Sequence, residues 1–158
     1  MVDLAGELRG LMRSFPSGVA VVTVDVEGER LGLTLGTVVT LSLEPPLVGI
    51  SVSRQAALHE LLRRAGAFSL SLLGEGQAAL AQHFARGVPP IGLWAGVATG
   101  GGPGEAPLLE GALGWLRCRL WAEYPAGDHT LFVGEVEEVA RGPAAAPLVY
   151  VEQEFRSL

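Results

Sequence analysis

Residues Gly32–Ser53 read "GLTLGTVVTLSLEPPLVGISVS". Strand-forming Val, Leu and Thr dominate, and Gly36-Thr37 and Glu44-Pro45-Pro46 interrupt them. Leu31–Leu35 reads as one strand and Val38–Leu43 as the next, which "EPP" stops because proline cannot donate to a ladder. Leu47–Val52 is a short apolar strand, the pattern of one buried on both faces in the centre of a sheet. Gly36 reads as a glycine inside strand structure, marking a bulge or a close backbone approach.

The same pattern extends in both directions. Upstream, Val19–Val26 is a valine-rich strand, and "EGER" turns it into the Leu31–Leu35 return strand of a hairpin. Before it, Asp3–Phe15 reads as an amphipathic helix that Asp3 caps, with Leu4, Leu8, Leu11, Met12 and Phe15 on one face. Downstream, Ser53–Arg64 reads as a second helix with Ser53 as N-cap, Leu58, Leu61 and Leu62 inside, and Gly66 as its end. "AFSLSLL" alternates, with Phe68, Leu70 and Leu72 facing one way. Glu75–Arg86 reads as a third helix. Gly87–Pro107 reads as a long loop containing Trp94 and "GGGPGEAP", of the kind that is functional or mobile. Leu113–Glu123 alternates again, with Leu116, Cys118 and Leu120 inside. Leu131–Val139 is the last long strand, and "PLVYVEQEF" adds a short one. About seven strands in mostly antiparallel order, with three helices between them, predict a mainly β fold: a small barrel with peripheral helices, not a doubly wound sheet. The 158 residues suffice for a single domain, 1–158, with a real core.

Composition limits the function. Apolar residues make up 49% of the chain. That is greasy for a monomer, so part of the surface is expected to lie under a second subunit or a flat cofactor. The net charge of −6 argues against nucleic acid, because phosphates need clustered cations and the basic residues here are scattered. The chain has no lysine and no asparagine. This excludes a P-loop lysine, a lysine Schiff base and N-glycosylation, and it suggests a GC-rich prokaryotic genome. One cysteine, Cys118, rules out an internal disulfide. No signal-like N-terminus and no membrane span are apparent, so the expected location is the cytoplasm.

The chain lacks the nucleophile-elbow, zinc-helix and dinucleotide glycine motifs. Its three histidines, His59, His83 and His129, are too scattered to support a metal site. What remains is a site of backbone and small side chains. "GLTLGTVVTLS" offers Thr34, Gly36, Thr37, Thr40 and Ser42, although threonine is also ordinary strand material. The helix start at Ser53-Arg54 offers free N–H groups and a cation to an anion.

Taken in order, "FPSGVAVVT", "GLTLGTVVTLSLEPPLVGISVS", "AFSLSLL" with "QAALAQHFA", "APLLEGALGWLRC", "GDHTLFVGEV" and "PLVY" resemble the flavin reductase-like family, whose fold is the FMN-binding split barrel. The resemblance spans nearly the whole chain. It implies that Thr34, Leu35, Gly36 and Thr37 hold a flavin ring (FMN, with FAD as the alternative) through the backbone. It matches Thr40 and Ser42 to the Ser-x-Ser-like stretch that follows. It implies that Ser53, Arg54, Gln55 and Ala56 receive the flavin phosphate, and that His129 stands beside the nicotinamide of NADH or NADPH. Gly36 and Val38 depart from the family, which often has a polar residue and an aromatic at these positions.

The implied chemistry is hydride transfer between two cofactors, so neither a catalytic side chain nor a metal is expected. The implied protein is a homodimeric NAD(P)H:flavin oxidoreductase, able to serve a monooxygenase partner. A flavoredoxin-like electron carrier without a nicotinamide site is the first alternative. A structural subunit that has lost flavin is the second.

Overall fold

The computed structural model describes residues 1–85, 90–102 and 104–158. A seven-stranded antiparallel sheet forms the body. In chain order its strands are β2 (Ala20–Val26), β3 (Glu29–Leu35), β4 (Val38–Leu43), β5 (Pro46–Ser53), β6 (Ala67–Leu72), β9 (Gly114–Ala126) and β10 (His129–Arg141). They lie in the order β3-β2-β6-β9-β10-β5-β4. The two edge strands, β3 and β4, are consecutive in the chain and joined only by Gly36-Thr37, and there the barrel is split. A small sheet of β1 (Ser17–Gly18), β11 (Leu148–Val151) and β12 (Glu154–Ser157) lies beside it, and β7 (Thr99–Gly100) pairs with β8 (Leu108–Leu109). The helices are α1 (Leu4–Met12), α2 (Ala57–Ala65), α3 (Ala78–Ala85) and the single turn α4 (Pro90–Leu93).

The fold class agrees with the sequence pattern, and several boundaries do not. The first hairpin turns on Glu27-Gly28 alone, both with positive φ, the backbone that suits a two-residue hairpin. Asp25 braces it, accepting from Gly28 N at 3.0 Å and from Arg30 Nε at 2.8 Å. β3 therefore begins at Glu29, inside the expected turn. The expected long loop contains α4 and β7, and β7 pairs with β8, which follows directly after the loop. The expected last residue of the third helix, Arg86, and the loop residues 87–89 and 103 lie outside the described residues. "PLVYVEQEF" makes a hairpin of two strands, turning on Glu152-Gln153 with positive φ at both.

β2 and β6 form a wall covered on both sides. Val22, Val24, Phe68 and Leu70 are buried in the barrel core with Ile50 and Phe132. The alternate positions Thr23, Ser69 and Ser71 are buried as well. They are covered by residues 106–109, whose backbone they hydrogen-bond: Thr23 Oγ1 donates to Pro107 O at 2.6 Å, Ser69 Oγ donates to Ala106 O at 3.2 Å, and Ser71 Oγ accepts from Leu109 N at 3.0 Å. "AFSLSLL" thus has no solvent face, and Leu72 is only half-buried. On β10, Gly134 packs where a Cβ would stand 2.5 Å from Phe68 Cζ and 2.9 Å from Cys118 Cβ, so only glycine allows the wall to close.

Two amphipathic helices behave differently. α2 buries Leu58, Leu61 and Leu62 against the barrel, but α1 buries nothing. Leu4, Leu8, Leu11 and Phe15 are all exposed, although Asp3 caps α1 as expected, accepting from Gly6 N at 3.0 Å.

Candidate flavin and nicotinamide site

The ladder of β4, β5 and β10 brings three distant segments to one rim. β5 ends at Ser53, whose register partner is His129, the first residue of β10. β4 begins at Val38, opposite Ile50 of β5, so the preceding Gly36-Thr37 link lies at the same end of these strands. Arg54 N donates to Asp128 O at 3.0 Å and ties the turn after β5 to the hairpin turn before β10. That hairpin turns on Gly127, with φ of 65°, and Asp128.

The turn after β5 differs from its expected form. Ser53 belongs to β5 and does not cap the helix. Its Oγ accepts from Gln55 N at 3.3 Å, and its carbonyl accepts from Ala56 N at 3.1 Å. α2 starts at Ala57 with Ala56 as N-cap, and Ala56 has no side chain able to cap. The first N–H groups of α2 thus meet no side-chain acceptor, and the helix dipole leaves partial positive charge there. Arg54 sits three residues ahead, its guanidinium without a hydrogen-bond or ion-pair partner among the described residues. A nine-residue helix with an open start and a nearby free cation suits a phosphate.

Asp128 and His129 form a pair, Oδ1 to Nδ1, at 2.7 Å. The histidine holds the exposed carboxyl below the usual aspartate value, with smaller help from the Arg54 charge. Because Nδ1–H donates to the carboxylate, a neutral His129 presents Nε2 outward as an acceptor; it donates there only when protonated.

Gly36 lies in the link between strands, not inside one, and its close neighbour is Ser17 Oγ, 3.0 Å from where a Cβ would stand. Thr34 Oγ1 donates to Ala81 O of α3 at 2.6 Å, which fixes β3 against the helix. Thr40 and Ser42 lie farther along β4, away from the rim. Ser42 Oγ accepts from Glu44 N at 3.3 Å, inside the turn to β5.

A cleft of about 760 Å³ opens beside the link. Thr34, Leu35 and Gly36 form one side, Ala78, Gln82 and Ala85 of α3 another, and Tyr150 and Phe155 of the C-terminal hairpin close it. This volume lies within the range of cofactor sites, and the mixed apolar and amide lining suits a flat heteroaromatic ring. Ser53–Ala56 and His129 do not line it. The α3 and C-terminal contributions had no signal in the sequence, because "AALAQHFA" and "PLVY" carry no residue type peculiar to binding.

Chain comparison agrees with this geometry. Residues 12–158 match the family model described as flavin reductase like domain. The chain belongs to the flavin reductase-like family.

Within the family, this chain is 46% identical over 144 residues to the reductase component of 4-hydroxyphenylacetate 3-monooxygenase from Thermus thermophilus, covering 91% of this chain and 90% of that one. Its backbone is similar to that of the flavin reductase component of a bacterial two-component tryptophan halogenase, with a TM-score of 0.90, 36% identity and 98% of each chain covered. It is equally similar to an NADH:FAD oxidoreductase of Streptomyces globisporus solved in complex with NAD and FAD fragments. There the TM-score is 0.91 at 36% identity, over 100% of this chain and 96% of that one. The split-barrel fold of this flavin reductase-like chain is thus established across its length. Cys118, on the inner face of β9, stands outside the rim; burial, with the Glu137 charge, pushes its thiol up to about 12. Among the described residues, no cluster of His, Cys, Asp and Glu could hold a metal ion.

Proposed function

We propose that this chain is an NAD(P)H:flavin oxidoreductase that supplies reduced flavin to a monooxygenase. The observation that carries the reading is the rim: an uncapped helix start beside Arg54, joined through Arg54 N and Asp128 O to an oriented histidine, next to a cleft of flavin size. Flavin, when bound, would supply the redox chemistry by accepting a hydride from the reduced nicotinamide. The protein's own tasks are to bind, orient and shield the rings. In this reading Thr34, Leu35, Gly36 and Thr37 hold the flavin ring, with Thr40 and Ser42 farther along the next strand, β4. Ser53, Arg54, Gln55 and Ala56 hold its phosphate, and His129 places the nicotinamide through Nε2. FMN fills the role, with FAD as the alternative, and NADH or NADPH is the donor. The relatives named as monooxygenase and halogenase reductase components support a partner oxygenase. The cytoplasm, where pyridine nucleotides are maintained, is the proposed location; no helix among the described residues is long and apolar enough to cross a membrane.

The working unit is proposed to be a homodimer. The apolar face of α1 and the β4 side chains Val39, Leu41 and Leu43 are exposed, large apolar side chains that a second copy would cover. Light scattering at micromolar concentration should give twice the chain mass, and a clean monomer would refute the dimer.

Anaerobic stopped-flow mixing of the FMN-loaded protein with NADH and with NADPH tests the activity. Rapid bleaching of flavin absorbance is expected. Tight FMN binding without rapid bleaching by either nucleotide would make the chain an electron carrier. No FMN binding would make it a structural subunit.

A further inference from the structure

One buried titratable side chain has no part in the proposed chemistry. His59, on the first turn of α2, is only 7% exposed. Its Nδ1 faces Glu60 Oε1 at 3.3 Å and its Nε2 lies 2.7 Å from Thr130 Oγ1. Nδ1–H donates to the carboxylate, so Nε2 accepts from the Thr130 hydroxyl. The ring also meets Phe132 edge-on, with centroids 5.1 Å apart. Thr130, itself buried, is the residue after His129.

On a strand, neighbouring side chains point to opposite faces. Thr130 faces inward to His59, and His129 faces outward to the rim. All four residues of "GDHT" are then accounted for. Gly127 makes the turn. Asp128 binds Arg54 N through its carbonyl and His129 through its carboxylate, His129 presents its ring, and Thr130 fastens the strand start to α2.

We propose that His59 is a positioning residue: through Thr130 it fastens the start of β10 to α2, so that His129 keeps a fixed relation to the turn that opens the same helix. The inference rests on the nicotinamide role given to His129 above. Without the bond, β10 remains laddered to β5 and β9, but its first residues lose their inward anchor. The cost falls on the placement of His129, not on the flavin.

The test uses Thr130→Val, which keeps the shape and removes the hydroxyl, beside Thr130→Ser, which keeps the hydroxyl. Both are studied as FMN-loaded protein below their melting temperatures. Calorimetry with NAD+, and with NADP+ in parallel, should show about three- to tenfold weaker binding for Thr130→Val, the scale of one neutral hydrogen bond. KM for the reduced nucleotide should rise by the same factor with kcat kept, the FMN dissociation constant should stay within about twofold, and Thr130→Ser should restore wild-type values. His59→Gln, which retains a hydrogen-bonding end, should fall between Thr130→Val and wild type.

A Thr130→Val protein that melts earlier but binds nucleotide normally would overturn the inference, leaving the pair as packing. Equal weakening of FMN and nucleotide would overturn it too. His129→Ala separates the two levels. If it weakens nucleotide binding while Thr130→Val does not, only the positioning role falls. If it has no effect, the nicotinamide reading falls and the inference with it.

Discussion

The wall and the rim of this barrel use similar polar side chains for opposite ends. In the wall, Thr23, Ser69 and Ser71 are buried, and each spends its hydroxyl on the backbone of residues 106–109. At the rim the Asp128 and His129 side chains are 95% and 44% exposed. There one bond orients the ring and leaves Nε2 free. A buried hydroxyl must be satisfied within the fold, because an unpaired polar group away from water costs about 1–3 kcal/mol. A rim group faces no such demand and can keep capacity for a ligand. Polarity alone does not mark a site; unspent hydrogen-bonding capacity at an accessible place does.

The sharpest way to break this contrast is His129→Ala. KM for the pyridine nucleotide should rise, or flavin reduction should slow, by about 10- to 100-fold, with FMN affinity and melting temperature nearly unchanged. Wild-type reduction kinetics would make His129 a strand residue like those of the wall. Arg54→Ala comes next. FMN affinity should fall by about tenfold, because a charge-assisted hydrogen bond to phosphate is lost, while riboflavin, which has no phosphate, should bind nearly as before. Fluorescence titration with both ligands decides it, and parallel losses would move the phosphate elsewhere.

From the wall side, Thr23→Val leaves Pro107 O without its donor. Stability should drop by about 1 kcal/mol, or roughly 2–4 °C in Tm, with kinetics unchanged. Altered nucleotide kinetics in this variant would blur the distinction. Cys118→Ala should have the smallest effect: a modest loss of stability and intact turnover, since this cysteine is a small core residue. Its titration gives a further check. The folded thiol ionises near 12 and the unfolded one near its ordinary 9.0, so above that lower value only the unfolded chain loses the proton. The stabilising contribution is complete below about pH 9 and is lost as pH rises toward about 12. Denaturation curves across that range should show an alkaline decline that Cys118→Ala reduces, and native protein should resist alkylation at neutral pH.

Much of the fold was legible because strand periodicity and turn chemistry are local. Val19–Val26 and Leu47–Val52 declared themselves by composition, and the turn within "EGER" by its glycine between two strand runs. Ser53 was misread as a cap because capping preference is local too. The β5–β10 ladder extends to Ser53, and this tertiary pairing outweighed a propensity worth about 1 kcal/mol. The burial of the serines of "AFSLSLL" was not legible because no local pattern reveals that residues 106–109 return to cover them. His59 was passed over because its partner lies 71 residues away.

By itself, then, the sequence determined that the chain is an antiparallel β protein without lysine chemistry, a cysteine framework or a nucleophile motif. Those follow from residue identity and from periods of a few residues. Its ordered motifs carried the resemblance to flavin reductases. Only the tertiary structure decided that Gly36, Ser53-Arg54 and Asp128-His129 share one rim, that α2 begins without a cap, and that α1 leaves its apolar face uncovered. Each depends on which strand pairs with which, and pairing is set by burial summed over the whole barrel, which no single segment encodes.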